Sequence, residues 1–409
     1  MNTPRLFYVP LEGYRERYTH QWSAPITGWQ ERNWLAAGVD YVRIDGDASD
    51  TPRQIKTGSV VDGIGRSIHC FSQVKKILLM LERGIIKDGD VIYFDDFWHP
   101  GIEAIPYACH LLGVKVHMYA FLHAQSVDCY DFTFPMKHWI RGFEKAYADV
   151  LDGIFVCCPT LKRLVHMFEG GICIQNDKVH ITGHPFNSKE VMERMPASYV
   201  NMMNGSPVIG YAAPPPRKNQ VVWSSRWDEE KNPWFFLNLA EKMPDVDFVV
   251  CTSAPNLRSN QQALLDDLSV TMRKCPNLTL KEDLTKEEYY AILCESKIQF
   301  NSASQDFVAI TLLESSVAGC YPIYPNYRSF PETFQHRPEF MYQHLNLTSA
   351  MKMIGEIIDR DDLWTEKEIR SREWIHTRFD DSWIRMLNVM GVPAAKPLTA
   401  VPGTMLWSC

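Results

Sequence analysis

The feature that most constrains the fold is the alternation of short apolar runs with amphipathic helical segments along the chain. The apolar runs are bounded by turn residues and are predicted as strands at 6–10, 41–45, 90–95, 114–122, 153–157, 178–183, 220–225, 247–252, 278–282, 297–303 and 320–325. Strands separated by helices pair in parallel, because a parallel pair needs a long crossover connection. The sequence therefore predicts an α/β protein built on parallel sheets.

The length and one break in the pattern predict two domains. A chain of 409 residues is too long for a single hydrophobic core. A stretch rich in Pro, Gly and Asn without periodicity predicts a linker at 196–220, between an N-terminal domain at 1–195 and a C-terminal domain at 221–375. A C-terminal helix and tail at 376–409 are expected to return to the N-terminal domain. Ligands of paired α/β domains bind in the cleft at the carboxyl ends of the strands.

Composition excludes several classes of protein. The chain is 45% apolar and 22% charged, with no apolar run long enough to cross a bilayer and no secretory signal at its start. The 11 cysteines show neither a CxxC pair nor a zinc-binding spacing, and are expected to be reduced core residues. We therefore expect a soluble cytoplasmic protein. The sequence does not indicate an oligomeric state.

The net charge of −7 argues against a generally basic nucleic-acid-binding protein. Two short basic stretches, Lys137 to Arg141 and Lys162-Arg163, could contact a nucleic-acid backbone. Runs of this kind are more often solvated helix faces. A local basic surface in the first half of the chain stays open at this point.

The loop SSRWDEEKNPWFF follows the first strand of the predicted C-terminal domain. It places Arg226 and Lys231 beside a helix that starts near Pro233. Two cations near a helix N-terminus form a clamp for a diphosphate, since both the side chains and the helix dipole attract anions. The alternative is that both cations pair with neighbouring acids on a solvated turn.

A second stretch, QDFVAITLLESSVAGCYP, combines an apolar helix with two acids. Asp306 lies in the loop before the helix, where the N–H groups of Phe307, Val308 and Ala309 would be free to bind an anion. Glu314 lies farther along the helix, where a carboxylate can accept hydrogen bonds from the diol of a ribose. The alternative is that Asp306 caps the helix and Glu314 is exposed.

Together, these two motifs resemble the donor site of retaining GT-B glycosyltransferases related to family 4. The resemblance implies two Rossmann-like domains facing across a cleft, with the C-terminal domain binding a nucleotide sugar. It implies that Ser225, Arg226 and Lys231 bind the diphosphate with the amides of 307–309, that Glu314 binds the ribose, and that Asp306 contacts the sugar. The chain departs from the family where Asp306 replaces the usual Glu and Ala309 replaces a frequent Gly. Both departures lie at the sugar end of the site.

The resemblance also implies a histidine at the end of a central strand in the N-terminal domain. VKVHMYAFLHAQSVD supplies His123 at such a position. The resemblance assigns His123, with Asp306, to the catalytic centre, where it would position the sugar and stabilise charge rather than act as a general base. Taken alone, a histidine after an apolar run is more often a core residue.

The N-terminal domain carries a narrower resemblance, in the stretches FYVPLEGYRERYTHQW, DGDVIYFDDFWHPGIEAI and YAFLHAQSVDCYDF. These are similar to phage-encoded glycosyltransferases, some of which modify hydroxymethylated pyrimidines in DNA. The resemblance favours double-stranded DNA as the acceptor, and a phage-encoded protein would act in the host cytoplasm. Because they follow predicted strands, the residues expected to line the cleft and bind the acceptor are Glu12, Arg17, Asp96, Trp98 and Asp128. Trp98 could stack on a base or sugar, or simply pack against its neighbours.

The sequence thus predicts a retaining glycosyltransferase that transfers glucose, or a pentose such as arabinose, from a UDP-sugar without a metal. No cluster such as DxD marks a metal site at the predicted donor loops, and Asp95-Asp96 is adjacent rather than spaced and lies in the other domain. A small-molecule or saccharide acceptor and a non-catalytic nucleotide-sugar-binding protein stay open as alternatives. A dinucleotide-dependent oxidoreductase is disfavoured, because no GxGxxG follows the first strand.

Overall fold

The computed structural model describes residues 4–12, 28–47, 63–131, 133–167, 172, 175–203 and 216–395. The chain forms two compact units, one made of Met1–Pro185 with Phe379–Cys409 and the other of Phe186–Arg378. The expected arginine of the acceptor set, Arg17, lies outside the described residues. No helix among the described ranges combines the length and hydropathy that a membrane span requires.

The first unit is built on a parallel six-stranded sheet in the order β2-β1-β3-β4-β5-β6. Its strands are β1 (Leu6–Val9), β2 (Tyr41–Arg43), β3 (Val91–Phe94), β4 (His117–Leu122), β5 (Gly153–Val156) and β6 (Val179–Ile181). Its helices are α1 (Gly28–Ala37), α2 (Gly63–Glu82), α3 (Ala104–Leu112), α4 (Lys137–Val150) and α5 (Pro159–His166), joined near the C-terminus by α16 (Ser382–Met390). Residues of β1, β3 and β5 are buried throughout, as expected for a parallel sheet covered on both faces.

The second unit is built on another parallel six-stranded sheet, in the order β12-β11-β10-β7-β8-β9. Its strands are β7 (Lys218–Trp223), β8 (Asp247–Cys251), β9 (Leu278–Lys281), β10 (Ser296–Phe300), β11 (Tyr321–Pro325) and β12 (Met341–Tyr342). Its helices are α6 (Ser188–Glu193), α7 (Ala197–Met203), α8 (Pro233–Lys242), α9 (Gln262–Lys274), α10 (Lys286–Glu295), α11 (Ile310–Val317), α12 (Phe330–Thr333), α13 (Leu347–Ile358) and α14 (Glu366–Ser371). Helix α15 (Trp374–Asp380) contains the boundary between the units.

The structure differs from the sequence prediction in two regions. The predicted linker contains helix α7 and the first residues of β7, although it lacks apolar periodicity. The C-terminal helix expected from residue 376 is formed by two short helices, α15 and α16. These two helices are separated at Asp381, the N-cap residue of α16. The linker contains too few periodic residues for the pattern to define its elements.

In each sheet, successive strands are added first on one side of the starting strand and then on its other side, so the strand order reverses at one point. In the first unit this point lies between β1 and β3, and in the second unit it lies between β7 and β10. Open α/β sheets bind ligands at the carboxyl ends of the strands beside such a point. The sequence-predicted residues follow these same strands, or β4 next to them.

Candidate functional site

In the second unit, the loop after β7 and the loop after β10 are joined by hydrogen bonds. Asn232 Nδ2 donates to the Ser302 carbonyl at 2.8 Å and to Ser304 Oγ at 2.9 Å. Ser302 Oγ donates back to the Lys231 carbonyl at 2.9 Å. Asn232 has a φ of 54°, in the left-handed region that asparagine tolerates better than most residues. The two loops therefore form one rigid element at the carboxyl edge of the sheet.

Lys231 is buried and points into the loop after β10. Its Nζ donates to the Gln305 carbonyl at 2.8 Å and lies 3.3 Å from Asp306 Oδ2. The alternative of a solvated lysine paired with the acids of its own turn is therefore wrong. The structure brings Lys231 and Asp306 together across 75 residues of sequence.

Arg226 behaves differently from Lys231. Its side chain is 58% exposed, and its guanidinium donates to Asp228 Oδ2 at 2.7 Å and to Glu230 Oε1 at 2.5 Å. This is the pairing on a solvated turn that the sequence left open. Ser225 lies just before it, and the Ser225 carbonyl accepts a hydrogen bond from Trp223 Nε1 at 3.0 Å.

The start of α11 carries a row of backbone donors. Among the described residues, none accepts a hydrogen bond from the N–H groups of residues 307–311. Ala309 is the N-cap residue and has no side-chain cap, so Asp306 does not cap this helix. Ser329 Oγ donates to the Asp306 carbonyl at 2.5 Å and holds the loop in place. Helix dipole and free amides together favour an anion here.

Glu314 is buried, which rules out the exposed alternative. Its Oε1 accepts hydrogen bonds from Lys286 Nζ at 2.7 Å and from Tyr290 OH at 3.0 Å. Burial first, and then the nearby Glu314 charge, raise the pKa of Tyr290 above its ordinary value, so the phenol stays a donor. Within the described residues, Glu314 Oε2 has no partner and could accept from a diol.

Lys286 was not predicted as a site residue, although the sequence contained a signal for it. Thr285 and Glu288 form a capping box that fixes the start of α10, which places Lys286 in the first turn. A cation is unfavourable at that end of a helix dipole. A lysine in this position therefore indicates a nearby carboxylate, which the structure shows to be Glu314.

In the first unit, a buried arginine joins three of the predicted acceptor residues. Arg66 of α2 donates to Glu12 Oε2 at 2.6 Å, contacts Asp96 Oδ2, and donates to the Trp98 carbonyl at 2.8 Å. Arg66 and Glu12 are both buried. These four residues connect the loops after β1 and β3. Sequence reasoning missed Arg66, because nothing local links it to either acid.

His123 directly follows β4 and is oriented by the main chain. Its Nε2 lies 2.8 Å from the Asp95 carbonyl, and a carbonyl only accepts, so Nε2 carries the proton. Burial lowers the pKa of His123 below its ordinary value, while the Asp96 charge acts in the opposite direction. The His184 ring lies 6.2 Å away, and burial lowers the pKa of His184 to about 3. Both imidazoles are therefore neutral near pH 7.

The loop after His123 is held by buried polar contacts. Gln125, with a φ of 59°, donates from Nε2 to Asp96 Oδ1 at 3.0 Å. The Ser126 backbone N–H donates to Glu144 Oε1 at 3.0 Å, and the Ser126 hydroxyl contacts the other carboxylate oxygen. Asp128 is buried in the following turn, where its Oδ1 accepts from the Tyr130 N–H at 3.3 Å. Glu144 thus anchors the His123 loop to α4.

Trp98 belongs to an aromatic cluster at the end of β3. Its ring centroid lies 5.4 Å from Tyr147 and 6.5 Å from both Trp139 and Phe143. Trp98 therefore packs against its neighbours, as one of the two sequence alternatives predicts, and stays partly exposed.

Eight of the nine described cysteines are buried, as expected for reduced core residues. Across the described ranges, no cluster of three or more His, Cys, Asp or Glu side chains is arranged to hold a metal ion.

Asp95 provides a pH-dependent test of how the core of the first unit is built. Asp95 is buried and accepts a hydrogen bond from Tyr8, yet burial outweighs its hydrogen bonds and raises its pKa to about 6. Between the unfolded-state pKa near 3.8 and this value, the folded chain binds one more proton than the unfolded chain. We expect stability to fall by about 1–3 kcal/mol as pH rises through this window.

The measurement is urea unfolding at pH 4.5 and pH 7.5, for the wild type and for Asp95→Asn. The asparagine variant should lose this component of the pH dependence, because it has no proton to release. Equal slopes for the two proteins would contradict the assignment.

Three comparisons with known proteins extend these observations. No family model matches the chain. A tRNA-queuosine alpha-mannosyltransferase from Drosophila melanogaster is 26% identical over 119 residues, which are 28% of this chain and 30% of that enzyme. The match thus spans about a third of the curated relative.

Two solved structures are similar over larger parts of the chain. Sucrose-phosphate synthase from Thermosynechococcus elongatus has a TM-score of 0.64 and 12% identity, covering 94% of this chain and 98% of that one. S. aureus TarM, in a complex that contains UDP and alpha-GlcNAc-glycerol, has a TM-score of 0.52 and 14% identity, covering 78% of this chain and 59% of TarM. The predicted fold class is confirmed: the chain has the two parallel sheets of a GT-B protein.

Proposed function

We propose that the protein is a retaining glycosyltransferase that moves a sugar from a UDP-sugar to a hydroxyl group. The observation that carries the proposal is the row of amides at 307–311, which have no hydrogen-bond acceptor among the described residues, beside the buried Lys231 ammonium. Free N–H groups, a helix dipole and a cation together suit a diphosphate better than any neutral ligand. The UDP in the TarM complex and the GT-B fold support the same nucleotide class.

The proposed donor contacts follow from these positions. The diphosphate would bind to the amides of 307–309 and to Lys231, and the ribose diol would donate to the open Oε2 of Glu314. Asp306 would contact sugar hydroxyls. Its carboxylate lies 3.3 Å from Lys231 Nζ. Because the sugar is bonded directly to the diphosphate, a diphosphate bound by Lys231 would place the sugar near Asp306. Ser225 and Arg226 would contribute after Arg226 exchanges its acidic partners for phosphate oxygens.

The proposed chemistry is front-side displacement at the anomeric carbon. The bond from this carbon to the diphosphate oxygen breaks while the bond to the acceptor oxygen forms on the same face, and the leaving diphosphate takes the acceptor proton. Negative charge grows on the diphosphate, so Lys231 and the amides bind the transition state more tightly than the ground state. The neutral His123 would position the sugar rather than exchange its proton.

The proposed acceptor is the hydroxymethyl group of a modified pyrimidine in phage DNA, and the sugar is glucose or a pentose such as arabinose. The resemblance of the N-terminal stretches supports the DNA acceptor. A second candidate is a modified tRNA nucleoside, supported by the similarity to the queuosine mannosyltransferase. A small-molecule or saccharide acceptor and a binding protein without turnover are the remaining alternatives. We place the reaction in the cytoplasm, where the UDP-sugar pool and the nucleic acid meet.

The deciding experiment is UDP release from a panel of UDP-sugars. UDP-glucose and UDP-arabinose are incubated with the protein and hydroxymethylated duplex DNA, unmodified duplex DNA, or queuosine-containing tRNA, and the nucleic acid is analysed by mass spectrometry. Release that depends on one acceptor, with the matching mass gain, would support transfer to that acceptor. UDP binding without release under any condition would favour the binding protein.

We expect the same reaction to be independent of metal, because Lys231 and the helix start supply the charge that a metal would otherwise provide. UDP release is measured before and after dialysis against EDTA, and after adding Mg²⁺ or Mn²⁺ back. The rate should change less than twofold. A loss that Mn²⁺ restores would show that the site needs a cation and would overturn this part of the proposal.

A further inference from the structure

Ser224 is the first residue after β7 and is partly exposed at the carboxyl end of that strand. Its Oγ accepts a hydrogen bond from Tyr289 OH at 2.8 Å and another from Gln299 Nε2 at 3.1 Å. A hydroxyl group has two lone pairs and one proton, so both acceptor positions of Ser224 are in use. The hydroxyl can therefore form a further hydrogen bond only as a donor.

The direction of these two bonds follows from the chemistry of the donors. Tyr289 is 7% exposed, and within the described ranges Ser224 is the only hydrogen-bond partner of its hydroxyl. Burial first, and then the Glu314 charge, raise the pKa of Tyr289 well above its ordinary value, so the phenol keeps its proton and donates it. Gln299 is fully buried in β10, and its Nε2 is an amide nitrogen that can only donate. In the described part of the chain, no group accepts a hydrogen bond from Ser224.

Helix α10 connects Ser224 to the acid proposed to bind the ribose. Tyr289 of this helix donates to Ser224, and the next residue, Tyr290, donates to Glu314 Oε1 at 3.0 Å. Lys286 Nζ, which also donates to Glu314, lies 5.5 Å from the ring centroid of Tyr289 and 5.4 Å from that of Tyr290. The Ser224 hydroxyl thus lies at the start of the loop proposed to bind the diphosphate, and is held by the helix that also holds the ribose acid.

We infer that the Ser224 hydroxyl donates a hydrogen bond to a phosphate oxygen of the bound nucleotide, and that Tyr289 and Gln299 position it for this. A phosphate oxygen is the acceptor that fits best, because its charge makes the hydrogen bond shorter and stronger than one to a neutral oxygen. The two bonds that Oγ accepts polarise the hydroxyl and strengthen it as a donor. This inference rests on the proposed function for the identity of the ligand, and it adds a donor that the motif spacing did not indicate.

The test compares the affinities of UDP, UMP and uridine for the wild type and for Ser224→Ala. UDP is measured by calorimetry, and the other two ligands by competition with UDP. Ser224→Ala should bind UDP at least about tenfold more weakly, as expected for the loss of a hydrogen bond to a charged group. Uridine, which has no phosphate, should bind both proteins equally. Ser224→Thr keeps the hydroxyl and should retain most of the affinity for UDP.

The positioning role of Tyr289 is tested by a double-mutant cycle. Tyr289→Phe should weaken UDP binding about two- to fivefold while Ser224 is present, because the serine loses one of the two donors that orient it. The same substitution should have no effect in the Ser224→Ala background, where the phenol has no hydroxyl to orient. An equal loss of affinity in both backgrounds would show that Tyr289 only supports the structure, and would contradict this role.

Ser269→Ala is the matched control, because Ser269 is an exposed serine on α9 of the same unit and donates to the Leu265 carbonyl of its own helix at 3.0 Å. It should bind UDP like the wild type. Thermal unfolding shows whether each variant is folded. The alanine variant leaves the buried Tyr289 phenol without its acceptor, so the comparison of Ser224→Ala/Tyr289→Phe with Tyr289→Phe supplies a second measurement of the Ser224 contribution.

Two results would overturn the inference: unchanged UDP affinity in folded Ser224→Ala, or an equal loss of affinity for UDP and for uridine. Sugar transfer from UDP-sugars tests the proposed function separately. UDP binding that depends on Ser224, without transfer to any acceptor, would contradict the glycosyltransferase proposal and leave the phosphate donor in place. Transfer by the wild type with unchanged UDP affinity in Ser224→Ala would do the opposite. Absence of binding of UDP, ADP and GDP by the wild type would overturn both.

Discussion

Replacing Lys231 with methionine is expected to reduce kcat/KM for sugar transfer by about 10² to 10³, or about 3–4 kcal/mol of transition-state stabilisation. The ammonium lies buried between the Gln305 carbonyl and the Asp306 carboxylate, beside the amides of 307–311, which no acceptor in the described part of the chain engages. It would therefore meet the diphosphate where negative charge grows during transfer. The methionine fills most of the space of the side chain and removes the ammonium, with its charge and its hydrogen bond to Gln305.

Two measurements separate the effect on the transition state from the effect on binding. Initial rates of UDP release give kcat/KM, and calorimetry with UDP gives the affinity for the leaving group. UDP should bind at least about tenfold more weakly, because a charge-assisted hydrogen bond contributes about 1.5–3 kcal/mol. Lys231→Arg should retain part of the activity, since the charge is kept while its geometry changes.

The matched control is Lys242→Met, at the exposed end of α8, the helix that follows Lys231. It removes the same charge from the same unit and should leave both quantities unchanged. If Lys231→Met bound UDP as tightly as the wild type, the diphosphate would have to bind elsewhere. Unfolding curves for both variants show whether a loss of activity reflects a loss of folded protein.

The strands of the two sheets were the part of the fold that the sequence predicted best. Strands buried on both faces need continuous apolar runs, and such runs at 91–94, 153–156 and 247–251 have no competing helical pattern. The two-residue strand β12 was missed, because no pattern of period two can appear in two residues. Helix α1 was missed as well, since its exposed and buried positions barely differ in polarity.

Residues of the candidate site could be predicted from sequence where they directly follow a strand. Contacts between residues that are remote in sequence could not be predicted. Lys231 and Asp306 were both singled out, because each lies in a loop after a strand at the carboxyl edge. Their contact could not be predicted, since it depends on how Asn232 and Ser302 join the two loops. For Arg226, the spacing from Lys231 predicted a phosphate clamp. In the structure, Arg226 instead forms ion pairs with two acids close to it in sequence, Asp228 and Glu230.

Removing the charge of Arg66 is expected to cost about 3–5 kcal/mol of stability, the largest structural effect we predict. Arg66 is only 9% exposed and lies between two carboxylates, Glu12 and Asp96, while also donating to the Trp98 carbonyl. Arg66→Met would leave two neighbouring acids and one carbonyl without their cation. The cost arises mainly from these uncompensated buried groups rather than from the loss of the ion pairs themselves.

Urea unfolding of the first unit, followed by hydrogen exchange of peptides from β1 and β3, measures this cost. The control is Arg43→Met in the same unit, whose partners Glu31 and Asp45 include an exposed carboxylate, and which should cost only about 1 kcal/mol. A triple variant, Arg66→Met with Glu12→Gln and Asp96→Asn, should recover most of the lost stability, because it removes the unpaired charges together with their cation.

The triple variant also separates structure from function at Glu12 and Asp96. If these carboxylates bind the acceptor, the triple variant should fold and bind UDP but transfer sugar slowly, with a raised KM for the acceptor. If they only support Arg66, transfer should recover together with stability. A triple variant that stays as unstable as Arg66→Met would show that the arginine contributes through its packing and its bond to Trp98, and would contradict the charge argument.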